Sequence, residues 1–412
     1  MRIRQVICAR GRAGYLHLDL AAIRGGARAD GGIFHGDPVT PGFRRIAEAA
    51  EILSIMLVLD DGQVAFGDCA DVIFAGAAGR DRIFRPADHE ADVAEHVAPL
   101  LVGRAVDDFR RNAQALDRCT FGGARLHTAI RYGVTQALLH AAALALRVPM
   151  ARVLGDQYAC TPATAPIPLL ANCQNNDLMQ LDRMILKRVE LLPHAYFTSV
   201  ENELGLRGEK LVAWLAAIAR RVRGVGDADY RPRLHIDVYG TIGQMCSGRI
   251  GEIADYIEQL RQAAQPYPLL IESPLIAATR AAQIEAFATL RETLRAKGIA
   301  VPLIADEWCN TLEDIRAFSA AGAADYVQVK TPDLGGINNS VEAVLYCRSV
   351  GMGVCLGGTG NETDHSARIC THVGLATQPD FMLTKPGLGG DEAIMIQSNE
   401  MARTLALLSQ AA

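Results

Sequence analysis

From about residue 161 onward, short apolar runs alternate with longer stretches in which apolar positions recur every three or four residues. That is the rhythm of strand followed by helix. The runs predict strands over 167–171, 190–194, 233–238, 269–272, 302–306, 326–330, 353–356 and 381–385. The stretches between them predict helices, most clearly over 210–222, 251–264, 281–297, 312–321 and 340–350. Eight strands in such a series match a closed β/α barrel of the TIM type. The first 160 residues lack this rhythm. Residues 2–8 alternate like a strand, and 54–60 and 63–68 flank Asp61-Gly62, a strong hairpin dipeptide. Helical patterns follow over 88–101, 106–119 and 127–146. Strands first and helices after them predict a separate α+β domain over residues 1–160, with the barrel over 161–412.

Four of the barrel runs end in polar residues: LHIDVYG at Asp237, PLLIESP at Glu272, VPLIADEW at Asp306 and DYVQVK at Lys330. In a closed barrel these ends converge on one pocket. A single acidic residue there commonly caps the following helix. Three in step, followed by a lysine, point instead to a hard cation such as Mg²⁺ held by oxygen. Alternation turns Gln328 to the face of Lys330 and His235 to that of Asp237. It turns Glu307 away, so Glu307 is not counted as a ligand. His194 ends the second predicted strand after LLP, and would approach the pocket from the side opposite Lys330. Two bases would then flank one carbon. A proton next to a carboxylate is very weakly acidic, and a cation on that carboxylate neutralises the charge that develops when the proton leaves. Lys330 must be neutral to accept it, and burial beside a cation moves its pKa in that direction.

Three glycine-rich segments need separate readings. The seventh run continues into VCLGGTGNETDHSA, where Gly357, Gly358 and Gly360 free the backbone and Asn361-Glu362-Thr363 resemble a helix start. Backbone N–H groups there suit a second carboxylate, although a structural turn explains the same glycines. FAGAAGRD, over 74–81, has no G-K-[ST] and predicts a mobile surface loop rather than a phosphate loop. PGLGGDE, over 386–392, predicts a loop with Asp391 capping the last helix. HEADVAEH, over 89–96, spaces its histidines too far apart for a zinc helix and reads as a solvated face.

Composition narrows the function class. Half the residues are hydrophobic, 21% are charged and the net charge is −5, as in an ordinary soluble enzyme. No Lys/Arg run suggests a nucleic-acid or anionic-membrane partner. The ten cysteines are scattered without a C-x-x-C pair, which predicts reduced, mostly buried thiols. No apolar signal region opens the chain, and no run approaches the ~18 apolar residues of a membrane span. A cytoplasmic protein acting on a small molecule is the expectation.

The motifs HIDVYGTIG, ADEWCNT, QVKTPDLGG, LPHA, RLHTAIRYG and GEKL strongly resemble the methylaspartate ammonia-lyases, a family of the enolase superfamily, and the likeness runs nearly end to end. The resemblance implies an α+β domain capping a β/α barrel, usually in a homodimer. It implies Mg²⁺ on Asp237, Glu272 and Asp306, with Lys330 as base for the (S)-face proton at C3 and His194 as base on the other face. Gln328 is implied at the substrate carboxylate, and Ile73, Asn172, Thr359, Gly360 and Leu383 in the rest of the substrate shell. The implied reaction is elimination of ammonia from 3-methylaspartate, or a related 3-substituted aspartate, to mesaconate or the corresponding fumarate derivative. Three segments depart from the family pattern. Ile73 replaces a glutamine, Leu170-Ala171-Asn172 replaces Phe-Ala-Gln, and Cys355-Leu356-Gly357-Gly358-Thr359-Gly360 replaces Tyr-Cys-Gly-Gly-Thr-Cys. Lost amides and lost bulk predict room for a larger apolar group on C3 or on the nitrogen. Two other readings compete: an epimerase, racemase or dehydratase of another acid, and a non-catalytic metabolite-binding paralogue. The intact ligand and base residues count against the latter.

Overall fold

A computed structural model describes residues 1–410 and closes the eight apolar runs into a parallel barrel. Its strands are Leu169–Leu170, Leu191–Tyr196, Arg233–Asp237, Leu269–Glu272, Leu303–Ala305, Tyr326–Val329, Gly353–Leu356 and Phe381–Leu383. Each pairs with its chain neighbour, and the eighth returns to the first. Such strands are covered on both faces, which is why they read as short continuous apolar runs. Leu170, Leu191, Leu270, Ile304, Cys355, Phe381 and Leu383 fill the interior. Helices sheathe the outside through apolar stripes at helical spacing, as with Leu211, Leu215, Ile218 and Val222 of the helix Glu209–Val225.

The second strand departs from expectation. Leu192 pairs with Leu234 and Ala195 with Ile236, so Pro193 and His194 together oppose one residue. Proline has no N–H for the ladder, and an extra residue here makes a bulge. His194 therefore sits in a bulge inside the strand rather than at its end, and a bulge re-aims the side chain it carries.

Ahead of the barrel, Ile3–Leu18, Ala47–Leu59 and Val64–Cys69 form a three-stranded antiparallel sheet. The first strand is longer than the predicted 2–8 because beyond Cys8 both of its faces are partly exposed and the apolar alternation fades. The predicted helix over 88–101 runs as Pro86–Asp92, one π turn Val93–Val97, and Ala98–Leu101. Phe109–Arg118 and Thr128–Leu146 complete the expected helices. The latter is buried nearly all round against Val64–Cys69, and the absence of a side chain on Gly67 and Gly133 lets the two backbones touch. A small exposed hairpin, Arg28–Asp30 with Ile33–His35, and the helix Met150–Tyr158 had no pattern announcing them. All ten cysteines are free thiols, and most are buried. Among the described residues no single helix is long and apolar enough to cross a membrane.

Candidate active site

Asp237 and Glu272 are the last residues of the third and fourth strands and lie opposite each other in register. Asp306 and Lys330 each stand one residue beyond the fifth and sixth strands. One oxygen from each of the three carboxylates lies within 4.8 Å of the others. All three residues are buried. Just after each carboxylate the backbone enters the left-handed region, at Tyr239 (φ 40°), Ser273 (φ 49°) and Trp308 (φ 64°). Non-glycine residues rarely adopt this conformation, and it clusters where structure serves function.

The electrostatics are those of a crowded anionic centre. Burial, then the neighbouring carboxylates, push Asp237 and Glu272 well above the usual carboxylate range. Burial acts the same way on Asp306, but Lys330 and Arg80 outweigh it and hold it low. Lys330 Nζ donates to Asp306 Oδ2 at 2.6 Å. Burial draws the Lys330 pKa down, yet Asp306 overrides it and the net shift is upward, opposite to the sequence expectation for a cation-loaded site. Glu272 Oε1 accepts the Gln328 amide. Its Oε2 lies 3.1 Å from His235 Nε2, without hydrogen-bond geometry, and Asp237 Oδ2 has no hydrogen-bond partner. Carboxylate oxygens left thus in a dry interior are costly. A divalent cation among the three removes the deficit, so the donor set fits one. His194, His235 and Glu272 also converge within 4.8 Å. That nitrogen-rich set would suit zinc, but it lies partly a layer deeper, since His235 precedes Asp237 by two residues on the same strand. Glu307 has left the strand, as expected, and is not in the converging trio. It is buried nonetheless, and accepts the Ser273 hydroxyl.

Above the carboxylates lies one cavity. Lys330 and Gln328 reach it from the sixth strand, His194 from the second and Leu383 from the eighth. Thr359 and Gly360 line it from the loop after the seventh strand, and Ile73 from the N-terminal sheet region. Asn172 does not line it; its Oδ1 is buried without a partner. The carboxylates are reached through this wall, Glu272 by Gln328 and Asp306 by Lys330. Burial, then His235 and Lys330, push His194 well below its usual pKa, so its imidazole is neutral, with Nδ1 unpartnered. A neutral imidazole can accept a proton.

The glycine loop departs from the anion-site expectation. The Thr359 N–H donates to Glu362 Oε2 at 2.9 Å, so that amide is already occupied. Glu362 is buried with Lys385 at 2.9 Å and the Tyr132 hydroxyl at 2.5 Å, and Lys385 donates to the Gly357 carbonyl at 2.9 Å. The helix begins at Asp364, with Thr363 and Ser366 forming its capping box. The space beside Gly360 is not empty either. A Cβ there would lie 2.8 Å from Ile73 Cδ1, so the side chain of Ile73 occupies the volume that a larger residue at 360 would need. The expected extra room is absent on this side of the cavity.

The segment 74–81 is not a mobile surface loop. Phe74 is buried with its ring edge-on to Tyr239 at 4.9 Å, and Asn310 Nδ2 donates to the Ala78 carbonyl at 2.7 Å. Its Arg80 is buried, donating from Nε to Asp333 Oδ2 at 2.7 Å and from Nη2 to Asp306 Oδ1 at 3.3 Å. The excess negative charge at the barrel mouth draws the guanidinium in. Sequence reasoning missed both Arg80 and Asp333. The one available signal was the charge deficit that three converging carboxylates create. In the other two segments, His89 stacks on Phe84 at 4.9 Å, and Asp391 stands in the first turn of Gly390–Gln410, paired with Arg183 at 3.0 Å. Pro386 lines the cavity, so PGLGGDE contributes to its wall.

Comparison with known proteins agrees with this geometry. Family models described as methylaspartate ammonia-lyase N-terminus and C-terminus match residues 1–159 and 161–410. The methylaspartate ammonia-lyase of Clostridium tetanomorphum is 45% identical over 415 residues, covering 100% of both chains. The Mg complex of β-methylaspartase from that organism superposes with a TM-score of 0.91 at 43% identity, again over 100% of both chains. The Citrobacter amalonaticus methylaspartate ammonia lyase containing (2S,3S)-3-methylaspartic acid gives a TM-score of 0.94 at 45% identity, over 99% of this chain and 100% of that one. The chain belongs to the methylaspartate ammonia-lyase family.

Proposed function

We propose that this protein is a Mg²⁺-dependent carbon–nitrogen lyase that eliminates ammonia from 3-methylaspartate, giving mesaconate through removal of the C3 proton. The observation that carries the reading is the convergence of three buried carboxylates behind a cavity lined by a lysine and a neutral histidine, in a chain of this family. The Mg complex of one relative and the 3-methylaspartate complex of another support the cation and the substrate.

Asp237, Glu272 and Asp306 would hold the cation, with Arg80 and Lys330 balancing Asp306. Bound there, Mg²⁺ supplies neutralisation of the charge that builds on the carboxylate next to C3. With the cation drawing on Asp306 and loosening its hold on the ammonium, Lys330 Nζ would lose its proton and take the C3 proton from one face, and His194 would take it from the other. The C–H electron pair becomes the second C2–C3 bond, and the C2–N pair leaves with ammonia. Gln328, fixed by its bond to Glu272, borders the substrate carboxylate. Ile73, Thr359, Gly360 and Leu383 close the rest of the shell and exclude water. Residues 1–160 act as the cap and 161–412 as the catalytic barrel. The same reading places the enzyme in the cytoplasm as a homodimer, the latter testable by light scattering.

The decisive experiment incubates the protein with Mg²⁺ and 3-methylaspartate in D₂O, following C3 deuteration and ammonia release by NMR. Exchange with ammonia is expected. Exchange without ammonia would replace the lyase by another proton-abstraction enzyme, and neither would remove 3-methylaspartate as substrate.

A further inference from the structure

Arg80 reaches the site from far along the chain, 226 residues from Asp306 and 253 from Asp333. It enters from the N-terminal region, on a loop tied to the barrel by Asn310 and running so close to the Trp308 ring that a Cβ on Gly79 (φ 83°) would meet it at 3.2 Å. Its guanidinium bridges two carboxylates on different elements. Asp306 follows the fifth strand, and Asp333 lies in the short helix Thr331–Leu334, whose N-cap is Lys330 itself. Asp306 divides its two oxygens, Oδ1 to Arg80 and Oδ2 to Lys330. The segment that carries Lys330 is thus held twice against the fifth strand, once by its own ammonium and once through Asp333 and Arg80. His194 comes from the opposite side of the barrel and meets this chain of contacts through charge, feeling Lys330 and Asp306.

We propose that Arg80 is a positioning residue for the Lys330 face of the reaction: by clamping Asp333 and Asp306 together it sets where Lys330 Nζ meets the C3 proton, while leaving the His194 face largely untouched. The proposal rests on the two-face reading above. A planar guanidinium suits this role because it can serve two carboxylates at fixed angles, which a lysine ammonium cannot do as well. Displacement of a reacting group by about 1 Å costs on the order of a hundredfold in rate.

The test measures C3–H exchange and ammonia release for both C3 epimers of 3-methylaspartate in the full-length, Mg²⁺-loaded protein. Variants are Arg80→Met, Arg80→Lys, Asp333→Asn and Lys330→Ala. Arg80→Met should lower kcat for the Lys330-dependent epimer about a hundredfold, with KM little changed and the other epimer losing less than about tenfold. Arg80→Lys should recover part of the loss. Asp333→Asn, which keeps Arg80 and its bond to Asp306, should give the same epimer bias in weaker form, and serves if Arg80→Met folds poorly. Titration with Mn²⁺ separates a metal effect. Equal losses for both epimers, or losses that follow weakened Mn²⁺ binding, would overturn the positioning role, as would an unchanged kcat. Should Lys330→Ala itself strike both epimers alike, the two-face reading fails. Arg80 is then judged by whether Arg80→Met still adds a loss in the Lys330→Ala background, and an added loss overturns it.

Discussion

The cavity has two unlike halves. Along the third to sixth strands its wall is backed by charge: Asp237, Glu272, Asp306 and Lys330, with Arg80 behind them. Around the eighth strand, the glycine loop and the N-terminal sheet region it is apolar: Ile73, Leu383 and the bare backbone of Gly360. In the charged half Asp237, Asp306 and Lys330 lie within the motifs that carry the family resemblance, whereas the apolar half holds the departures from it. Each half answers a different question. Charged groups at fixed separations determine which bond can be polarised, and shape and hydrogen-bond inventory determine which molecule fits. A family can therefore keep its reaction while the substrate shell drifts, and here the drift is internally compensated, with Ile73 filling what Gly360 vacates.

The sharpest way to break this division is to remove the charge. Chelation should abolish turnover, and Mg²⁺ or Mn²⁺ should restore it. Glu272→Gln should reduce activity beyond detection while leaving the melting temperature close to that of the parent, because one of several mutually repelling buried carboxylates is lost. Full activity in chelator would mean that the charged half does not hold the reaction.

Next in size is the separation of the two bases. Lys330→Ala should eliminate turnover of one C3 epimer and spare some of the other, with His194→Ala doing the reverse, each by about 10²–10⁴-fold. Equal loss of both epimers in each variant would show one shared proton route.

The two halves also differ in how far the sequence reveals them. Asp237, Glu272, Asp306 and Lys330 are legible because each terminates a short apolar run, and parallel pairing brings successive strand ends to one level. His194 was legible as a residue but not as a geometry, since its bulge depends on how Pro193 pairs with the third strand. Arg80 was not legible. Its loop has the composition of a surface turn, and only the charge of strands far along the chain buries it. The contact between Ile73 and Gly360 was equally hidden. The two are distant in sequence, and each read alone is a loss of bulk or polarity. Together they are a packing arrangement.

That arrangement gives a smaller, directional prediction. Gly360→Cys alone should lower kcat/KM for 3-methylaspartate by roughly 10–100-fold, because the new side chain collides with Ile73, and overpacking of this kind costs about 1–3 kcal/mol. Ile73→Gln combined with Gly360→Cys should recover the loss, since both residues then take the family pattern. Equal effects of Gly360→Cys in the Ile73 and Gln backgrounds, measured by steady-state kinetics, would show that the two positions are not coupled and that the apolar half is simply open.

The smallest effect concerns what happens to this comparison in acid, where activity can fall because the N-terminal region loosens rather than because the bases titrate. His140 Nδ1 accepts the Phe66 backbone N–H at 3.1 Å, and on the neighbouring barrel helix His365 Nε2 contacts the Phe66 carbonyl at 2.8 Å. Burial, then the His365 and His372 charges, lower the His140 pKa from 6.5 to about 4. Because the folded value is the lower one, the unfolded chain binds more protons between these limits. The contribution of His140 is complete above about 6.5 and is lost as pH falls toward about 4. Protonation also removes the lone pair that Phe66 uses. Melting temperature should therefore fall on acidification across this window, with His140 accounting for on the order of a few degrees. His140→Gln keeps an acceptor for Phe66 but does not titrate, so its melting curve should be flatter with pH than the parent's. Parallel slopes for the two proteins would remove His140 from the acid response, and any activity loss in that range would then have to be sought in the cavity itself.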